Sequence, residues 1–584
     1  YDFNTYVLLK PGTNVTALQA KWDQFLEKER TADWEKYNSR QEFILRPMLG
    51  IHLYSNLLQE SEPEEQGDGD AVYALSVIAF FILLIAWVNY INLATAKSFD
   101  RANEIGVRKV MGAQKVQLVK QFLAEALLVN LMATLLALVL VRVSWSFLNE
   151  FTGRAIPLSY LLAPSFWLLV LGLFVAGGAL SGFYPAMVLS SFNPVSVLKG
   201  KLVRSVHGSV VRKSLVVFQF LASVFLICGS VVVYQQLQFM RQQKLGVDIN
   251  QTLVLRDPGV VDSLYEQNKE SFKNEMLRIS GVRAVTTSSN VPGDEIFWTN
   301  GIRRLTGSDN ALTVYNVGID FDYVPAFGLE LAAGRNFDRS FSNDRERVLI
   351  NRELAASLAF DAPEEAIGQK LSVGGDTLEV AGVLENYHQM SLKTKVAPIV
   401  FRLVNNSSFY AFKMETENYQ DVLDKIEPVW KDLFPGNPIE YFFLDQFFNR
   451  QYASDRQFGQ LFSLFTILAI FVACLGLFGL ASFMTVQRTK EIGIRKVMGS
   501  SVAGIIILLS KGFIQLVLIA NLIAWPLAWW AMSRWLEAFP YHTTINPLLF
   551  LAAGCAVVFI AFLSVGLQTF KAASLNPSKS LKYE

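Results

Sequence analysis

The sequence predicts a polytopic α-helical membrane protein, with seven spans in this chain and eight expected in the full protein, carrying α+β extracytoplasmic domains. Three observations predict it. Seven stretches of span length are almost free of Asp, Glu, Lys and Arg; the short loops between them alternate between Lys/Arg-rich and Lys/Arg-poor; and one basic decapeptide occurs twice, 387 residues apart. Composition agrees, since 52% of the 584 residues are hydrophobic and the mean hydropathy is +0.30. Lys and Arg number 52 against 51 Asp and Glu, a net charge of +1 that argues against a nucleic-acid-binding surface spread over the molecule.

In chain order, Thr5 to Leu9 reads as a strand, Leu18, Trp22, Phe25 and Leu26 share one helical face, and Glu42 to Leu45 reads as a second strand. The spans follow. A hydrocarbon core of ~30 Å takes about 20 helical residues. Residues 71–96, 164–198, 214–240, 457–487 and 538–570 have no fixed charge, while 121–141 and 502–533 contain only Glu125 and Lys511. Globular helices average about 11 residues, so seven such runs are membrane spans. Glu125 and Lys511 lie near span ends, where long side chains reach the interface. Asn89, Asn92, Asn130, Gln219, Gln515 and Asn521 within the spans suit hydrogen bonds between helices. Between the fourth and fifth spans lies a long outside segment. It has strand signals at Thr313–Val317, Arg347–Ile350, Leu378–Val383 and Pro398–Phe401, then Tyr410–Phe412, a helical face from Val422 to Leu433 interrupted by Pro428, and Tyr441–Leu444.

Loop charge sets the orientation, because short cytoplasmic loops retain Lys and Arg. One set of loops, with the C-terminal tail, holds eighteen basic residues; the alternate loops, residues 149–163 and 534–547, hold only Arg154 and Arg534. Residues 1–70 and 241–456 are therefore expected outside, with the C-terminus in the cytoplasm. An intact chain that starts in the cytoplasm is expected to have one further span, and the opening part of a first outside domain, before Tyr1.

The repeat shows that a membrane unit is duplicated. Glu104-Ile105-Gly106-Val107-Arg108-Lys109-Val110-Met111-Gly112-Ala113 returns as Glu491-Ile492-Gly493-Ile494-Arg495-Lys496-Val497-Met498-Gly499-Ser500, with eight of ten positions identical. Further on, Pro164 returns as Pro547 and Asn193-Pro194 as Asn576-Pro577; each copy ends in Leu-Lys, at Leu198-Lys199 and Leu581-Lys582. The expected organisation is 1–70, the end of a first extracytoplasmic domain; 71–200, a first three-span unit; 201–240, a linker and the fourth span; 241–456, a second extracytoplasmic domain; and 457–584, a second three-span unit. On a helix, Val107, Val110 and Met111 share one face while Ile105, Arg108 and Lys109 share the other. Gly112 suits a left-handed C-terminal cap. Such a helix can pack one face under the bundle and offer the other to a soluble partner.

These features resemble an FtsX-like permease of an ABC transporter, of the MacB-like type with two permease units fused. The matching residues are the two EIG[VI]RKVMG motifs, Ser181-Gly182-Phe183-Tyr184-Pro185-Ala186 with Asn193-Pro194, and Pro47 to Leu53. In the outside domain they are Ala326-Phe327-Gly328-Leu329, Gly334-Arg335-Asn336-Phe337, Leu349-Ile350-Asn351, Ile367-Gly368-Gln369-Lys370 and Val380-Ala381-Gly382-Val383. The second unit departs by placing Leu567-Gln568 where the first has Tyr184-Pro185. The resemblance implies a non-catalytic subunit in a bacterial inner membrane with periplasmic domains. Its two motifs would dock on a dimer of a separate ATPase subunit through Glu104, Ile105, Arg108, Lys109, Met111 and Gly112, and through Glu491, Ile492, Arg495, Lys496, Met498 and Gly499. ATP-driven closure would then move the periplasmic domains, a process called mechanotransmission, to export or extract a drug, peptide or lipoprotein. A module that regulates a cell-wall hydrolase or senses an antimicrobial peptide stays open as the alternative, as does a periplasmic adaptor or hydrolase as a further partner.

The sequence contains no G-x-x-x-x-G-K-[ST] phosphate loop. Its four histidines, His52, His207, His388 and His542, form no zinc spacing, and no cofactor or metal is expected. Cys228, Cys474 and Cys555 stand far apart in apolar stretches and read as buried small hydrophobes.

Overall fold

The computed structural model describes residues 5–37, 42–54, 67–98, 102–153, 155–190, 206–306, 311–404, 407–416 and 418–574. The chain divides into two compact units. One comprises Tyr1–Gly69, Phe239–Asp455 and Phe539–His542, and the other Asp70–Gln238, Arg456–Ala538 and Thr543–Glu584.

The second unit is helical and contains seven helices long and apolar enough to cross a membrane among the described residues. Before them, in the other unit, come α1 (Val15–Tyr37) and α2 (Met48–Tyr54). The membrane unit starts with α3 (Gly69–Ser98), α4 (Ala102–Val110), α5 (Lys115–Thr152), α6 (Pro164–Ser190) and α7 (Val206–Gln242). Several bounds differ from the charge-free runs. α5 extends the 121–141 run at both ends, because charged and polar residues remain helical once their side chains reach beyond the hydrocarbon. The last helix starts at Pro547 rather than at residue 538, because Pro547 takes the first helical position behind Asn546, whose side chain accepts from the Leu548 amide at 3.0 Å.

Ectodomain elements follow α7. They are β1 (Thr252–Arg256), α8 (Tyr265–Met276), β2 (Val282–Ser288), β3 (Thr299–Arg304), β4 (Leu312–Ile319), α9 (Tyr323–Ala326), β5 (Leu331–Gly334), β6 (Arg347–Asn351), α10 (Arg352–Ser357), β7 (Lys370–Val373), β8 (Asp376–Leu384), β9 (Ile399–Leu403), β10 (Phe409–Met414), α11 (Tyr419–Leu433), β11 (Tyr441–Phe443) and α12 (Leu444–Arg450). The strand order is β11-β1-β10-β2-β4-β3-β7-β8-β6-β9, and β9 also pairs in parallel with β4. That last pairing closes β4, β3, β7, β8, β6 and β9 into a ring, filled by Ile302, Val314, Val348, Ile350, Leu371, Val380 and Val400. β5 pairs with β8 at the side of the ring, and the remaining strands, β11-β1-β10-β2, form an antiparallel layer. α8 and α11 cover it, packing Phe272, Met276, Val422, Ile426 and Trp430 against Leu253, Leu255, Tyr410 and Phe412. α11 runs through Pro428 because its register is held by that buried face and by Asn418, whose side chain accepts from the Asp421 amide. The buried Lys273 ammonium of α8 bridges Asp320 at 2.5 Å and Asp322 at 3.1 Å, at the end of β4.

Two expected strands are absent: residues 5–9 and 42–45 have no ladder partners among the described residues. In place of a ladder, Gln19 of α1 accepts from the Leu45 amide at 3.0 Å and donates to the Phe43 carbonyl, with Trp22 edge-on to Phe43. A strand needs a neighbouring backbone, and here a helix side chain takes that place. Leu444, read as the end of a strand, opens α12.

The membrane unit resumes with α13 (Ala453–Gln487), α14 (Thr489–Val497), α15 (Val502–Leu536) and α16 (Pro547–Ala573). Val224, Cys228 and Val232 of α7 pack with Leu477 and Ala481 of α13, Val517, Ala520, Ala524 and Ala528 of α15, and Val557 and Ala561 of α16. The alanines recur every fourth residue, one face of a helix, and their small side chains allow the close approach on which helix association in lipid depends. Of the cysteines only Cys228 is buried; Cys555 is exposed and Cys474 intermediate. An apolar helix face stable in lipid has no need of a protein cover, so an apolar setting did not imply burial.

Candidate functional site

Both decapeptides form short helices, α4 and α14, each ended by a glycine. Ala113 N–H donates to the Arg108 carbonyl at 3.0 Å and Gly112 N–H to the Lys109 carbonyl at 3.1 Å; Ser500 to Arg495 and Gly499 to Lys496 repeat these bonds at 3.0 and 3.1 Å. This is the Schellman ending, which requires a left-handed residue. Gly112 and Gly499 supply it, with φ of 95° and 89°. The chain turns at once into the next span, α5 from Lys115 or α15 from Val502, and Ser501 caps the latter by accepting from the Gly504 amide at 3.1 Å.

The acidic and basic residues of the motif pair within each helix. Arg108 meets Glu104 at 2.7 Å and Arg495 meets Glu491 at 2.9 Å, all four side chains close to half exposed. Such i,i+4 pairs contribute about 0.3–0.5 kcal/mol each, so they order the arginines more than they stabilise the fold. Beyond this the copies differ. Arg108 also donates to Gln121 at 2.8 Å, and Gln121 donates to Glu125 at 3.1 Å, a polar chain from the motif into α5. The equivalent positions of α15 are Leu508 and Gly512. Instead, Lys496 donates to the Ala573 carbonyl at the end of α16, at 2.7 Å. Burial, and then the charge of Lys115, lower the Lys109 ammonium below its ordinary pKa.

One face of α14 is docked. Ile492 is 5% exposed and packs on Ile505 and Ala573, with Val502 and Leu509 alongside. At its counterpart Ile105 only the backbone is described, and it is helical. The opposite face is open in both copies: Val107, Val110 and Met111, and Ile494, Val497 and Met498. Met111 and Met498 are 83% and 80% exposed, almost the same in two independent positions. Both methionines were among the expected residues. Val107, Val110, Ile494 and Val497 were not, although the helical periodicity already grouped the first two with Met111.

Other expected features fall outside the site. Among the described residues no group of three or more His, Cys, Asp or Glu could hold a metal. His388 packs edge-on to Tyr541 at 5.0 Å, and burial lowers its pKa. Asn193-Pro194, Asn576-Pro577 and the two Leu-Lys ends lie outside the described residues, whereas Ser181 to Ala186 lie on α6.

Comparison with known proteins places the chain in a family. Residues 76–194 and 463–577 each match the FtsX-like permease C-terminal family, and residues 221–417 match the MacB-like periplasmic core domain. Among curated proteins, the Macrolide export ATP-binding/permease protein MacB of Sodalis glossinidius is 28% identical over 130 residues, 22% of this chain and 19% of that protein. The protein of the same name from Wolinella succinogenes is 29% identical over 143 residues, 24% of this chain and 22% of that one. The matched part thus spans about a fifth of these relatives. Among solved structures, the periplasmic region of MacB from Actinobacillus actinomycetemcomitans aligns with a TM-score of 0.26 at 12% identity, covering 35% of this chain and 94% of that one. The extracellular domain of the ABC-type transporter YknZ from Gram-positive bacteria aligns at 0.25 and 17%, covering 32% and 97%. With two FtsX-like permease units and a MacB-like periplasmic core domain between them, the chain belongs to the FtsX/MacB-like ABC transporter permeases.

Proposed function

We propose that this chain is the permease subunit of an ABC transporter, that α4 and α14 dock on the two halves of a separate ATPase dimer, and that nucleotide-driven closure moves the periplasmic domains to export or extract a drug, peptide or lipoprotein. The single observation that carries the reading is the recurrence of one apolar surface, Val107-Val110-Met111 and Ile494-Val497-Met498, left open on two helices that share an Arg–Glu pair and a glycine ending. Charge anchoring at a membrane surface would call for Lys and Arg alone, without an exposed methionine at the same place in both copies. In this reading Ile492, Gly499 and Lys496 set the angle of α14, and Gly112 and Arg108 that of α4. The motifs and the C-terminus lie in the cytoplasm, in accord with the basic loops. Residues 71–200 and 457–584 act as the paired permease units and 241–456 as the moving domain.

The test is reconstitution. The chain and its copurifying nucleotide-binding subunit are placed in nanodiscs, and ATP turnover is followed while candidate macrolides, cationic peptides and lipopeptides are added. Stimulation by a defined compound supports export; capture of a hydrolase by the periplasmic domain, with no stimulating compound, supports the regulatory alternative.

A further inference from the structure

We propose that an amide-into-glycine contact between α3 and α13 makes the two permease units fit each other and not copies of themselves. This goes beyond the coupling reading and does not depend on which ATPase docks. Carried from the motif back along the chain, the 387-residue offset makes Asn89 equivalent to Gly476 and Asn92 equivalent to Gly479. The first pair meets. Asn89 Nδ2 donates to the Val472 carbonyl of α13 at 2.6 Å. Its Oδ1 occupies the space that a Cβ on residue 476 would fill. One turn on, a Leu93 methyl lies 2.6 Å from the corresponding point at Gly479. Gln219 of α7 takes the next carbonyl, Ala473, at 2.7 Å, so consecutive carbonyls of α13 accept amides from two helices.

The consequence is steric and polar together. Asn89 and Asn92 are buried, at 7% and 3% exposure. A buried amide in a bundle needs a partner, and Asn89 reaches the carbonyl only because residue 476 has no side chain. Pairing α3 with a second α3 would place two asparagines where a single methyl does not fit. Pairing α13 with a second α13 would oppose glycine to glycine, leave a void, and leave the carbonyl without its amide. Unlike pairing alone gives the Asn89 Nδ2 both a carbonyl to donate to and the space to reach it, and a duplicated chain holds one of each. The diverged positions thus direct assembly within one chain, because each like-with-like pairing is disfavoured.

A residue swap tests this. Gly476→Asn and Asn89→Gly are made singly and together, and the thermal transition of the full chain is read in detergent. In the double variant the amide has moved to α13, and the expected acceptor is the Ile85 carbonyl of α3, the equivalent of Val472 at the 387-residue offset. Each single change should lower Tm, and the double should recover most of the loss; a double variant that loses as much as the two singles combined overturns the proposal. Disulfide trapping guards against variants that simply fail to fold. With Cys228, Cys474 and Cys555 replaced by Ala, Leu93→Cys with Gly479→Cys should close a link within one chain. Oxidation of the Leu93→Cys single variant into a chain dimer would overturn it, since that requires α3 against α3.

Discussion

Replacing Met111 and Met498 together by Asp should release the nucleotide-binding subunit without disturbing the membrane fold. The two side chains are 83% and 80% exposed, so little of the folded chain depends on them and nearly all of each is available to a partner. Fully burying a methionine gains about 1.5–3 kcal/mol. Two equivalent sites then supply roughly 3–6 kcal/mol of the docking energy, and at 1.4 kcal/mol per factor of ten the double variant should bind about a hundredfold to twenty-thousandfold more weakly. A carboxylate forced into an apolar groove adds to the loss. The assay titrates the nucleotide-binding subunit against immobilised nanodiscs and follows ATP turnover in parallel, with the Tm of the permease as a control. Wild-type affinity, with an unchanged Tm, would refute the assignment of this face.

Three further predictions follow from the geometry. Arg108→Glu with Arg495→Glu places like charges beside Glu104 and Glu491 and should uncouple ATP turnover while the chain still inserts; normal copurification and turnover would count against it. Ile492→Ala removes the buried anchor of α14 and should cost about 2–4 kcal/mol of local stability, read as faster amide exchange over residues 489–499 while α15 stays protected. In the ectodomain, burial raises the Asp294 carboxyl to about 6, opposed by a bond from Asn290 at 2.7 Å and by the charge of Arg256. Because the folded state holds the proton more tightly, the stability this group contributes is complete below about pH 4 and is lost as pH rises through about 6. Asp294→Asn should therefore slow amide exchange of the neighbouring β2 segment at pH 7.5 and change it little at pH 4.5 after correction for intrinsic exchange; an equal effect at both pH values would exclude the titration as cause.

The membrane unit was legible because the bilayer imposes a length and a loop-charge rule on local sequence, and neither needs tertiary information. The decapeptide was legible because it occurs twice, and its glycine already indicated the left-handed ending. The ectodomain was legible only where hydrophobic runs are bounded by turns: β4, β6, β8 and β9 stand out, whereas β3, Thr299 to Arg304, is too polar to announce itself and is held by its neighbours in the closed ring. The segments at 5–9 and 42–45 carry strand composition, yet pairing depends on partners that composition does not reveal. Which face of α4 and α14 would be open was undecided, because a two-faced helix allows either; the docked Ile492 settled it for α14. The Asn89 and Gly476 relation is invisible until two helices from opposite ends of the chain are seen side by side.

If a cytoplasmic ATPase pulls on the two decapeptide helices, their open faces lie against it. Photo-crosslinking in native membranes tests it most directly, with a reactive amino acid placed in turn at positions 111 and 498. Each position should capture the same nucleotide-binding subunit, with a yield that changes when ATP is trapped unhydrolysed. Capture of lipid or of a periplasmic protein in place of that subunit, at either position, would contradict it.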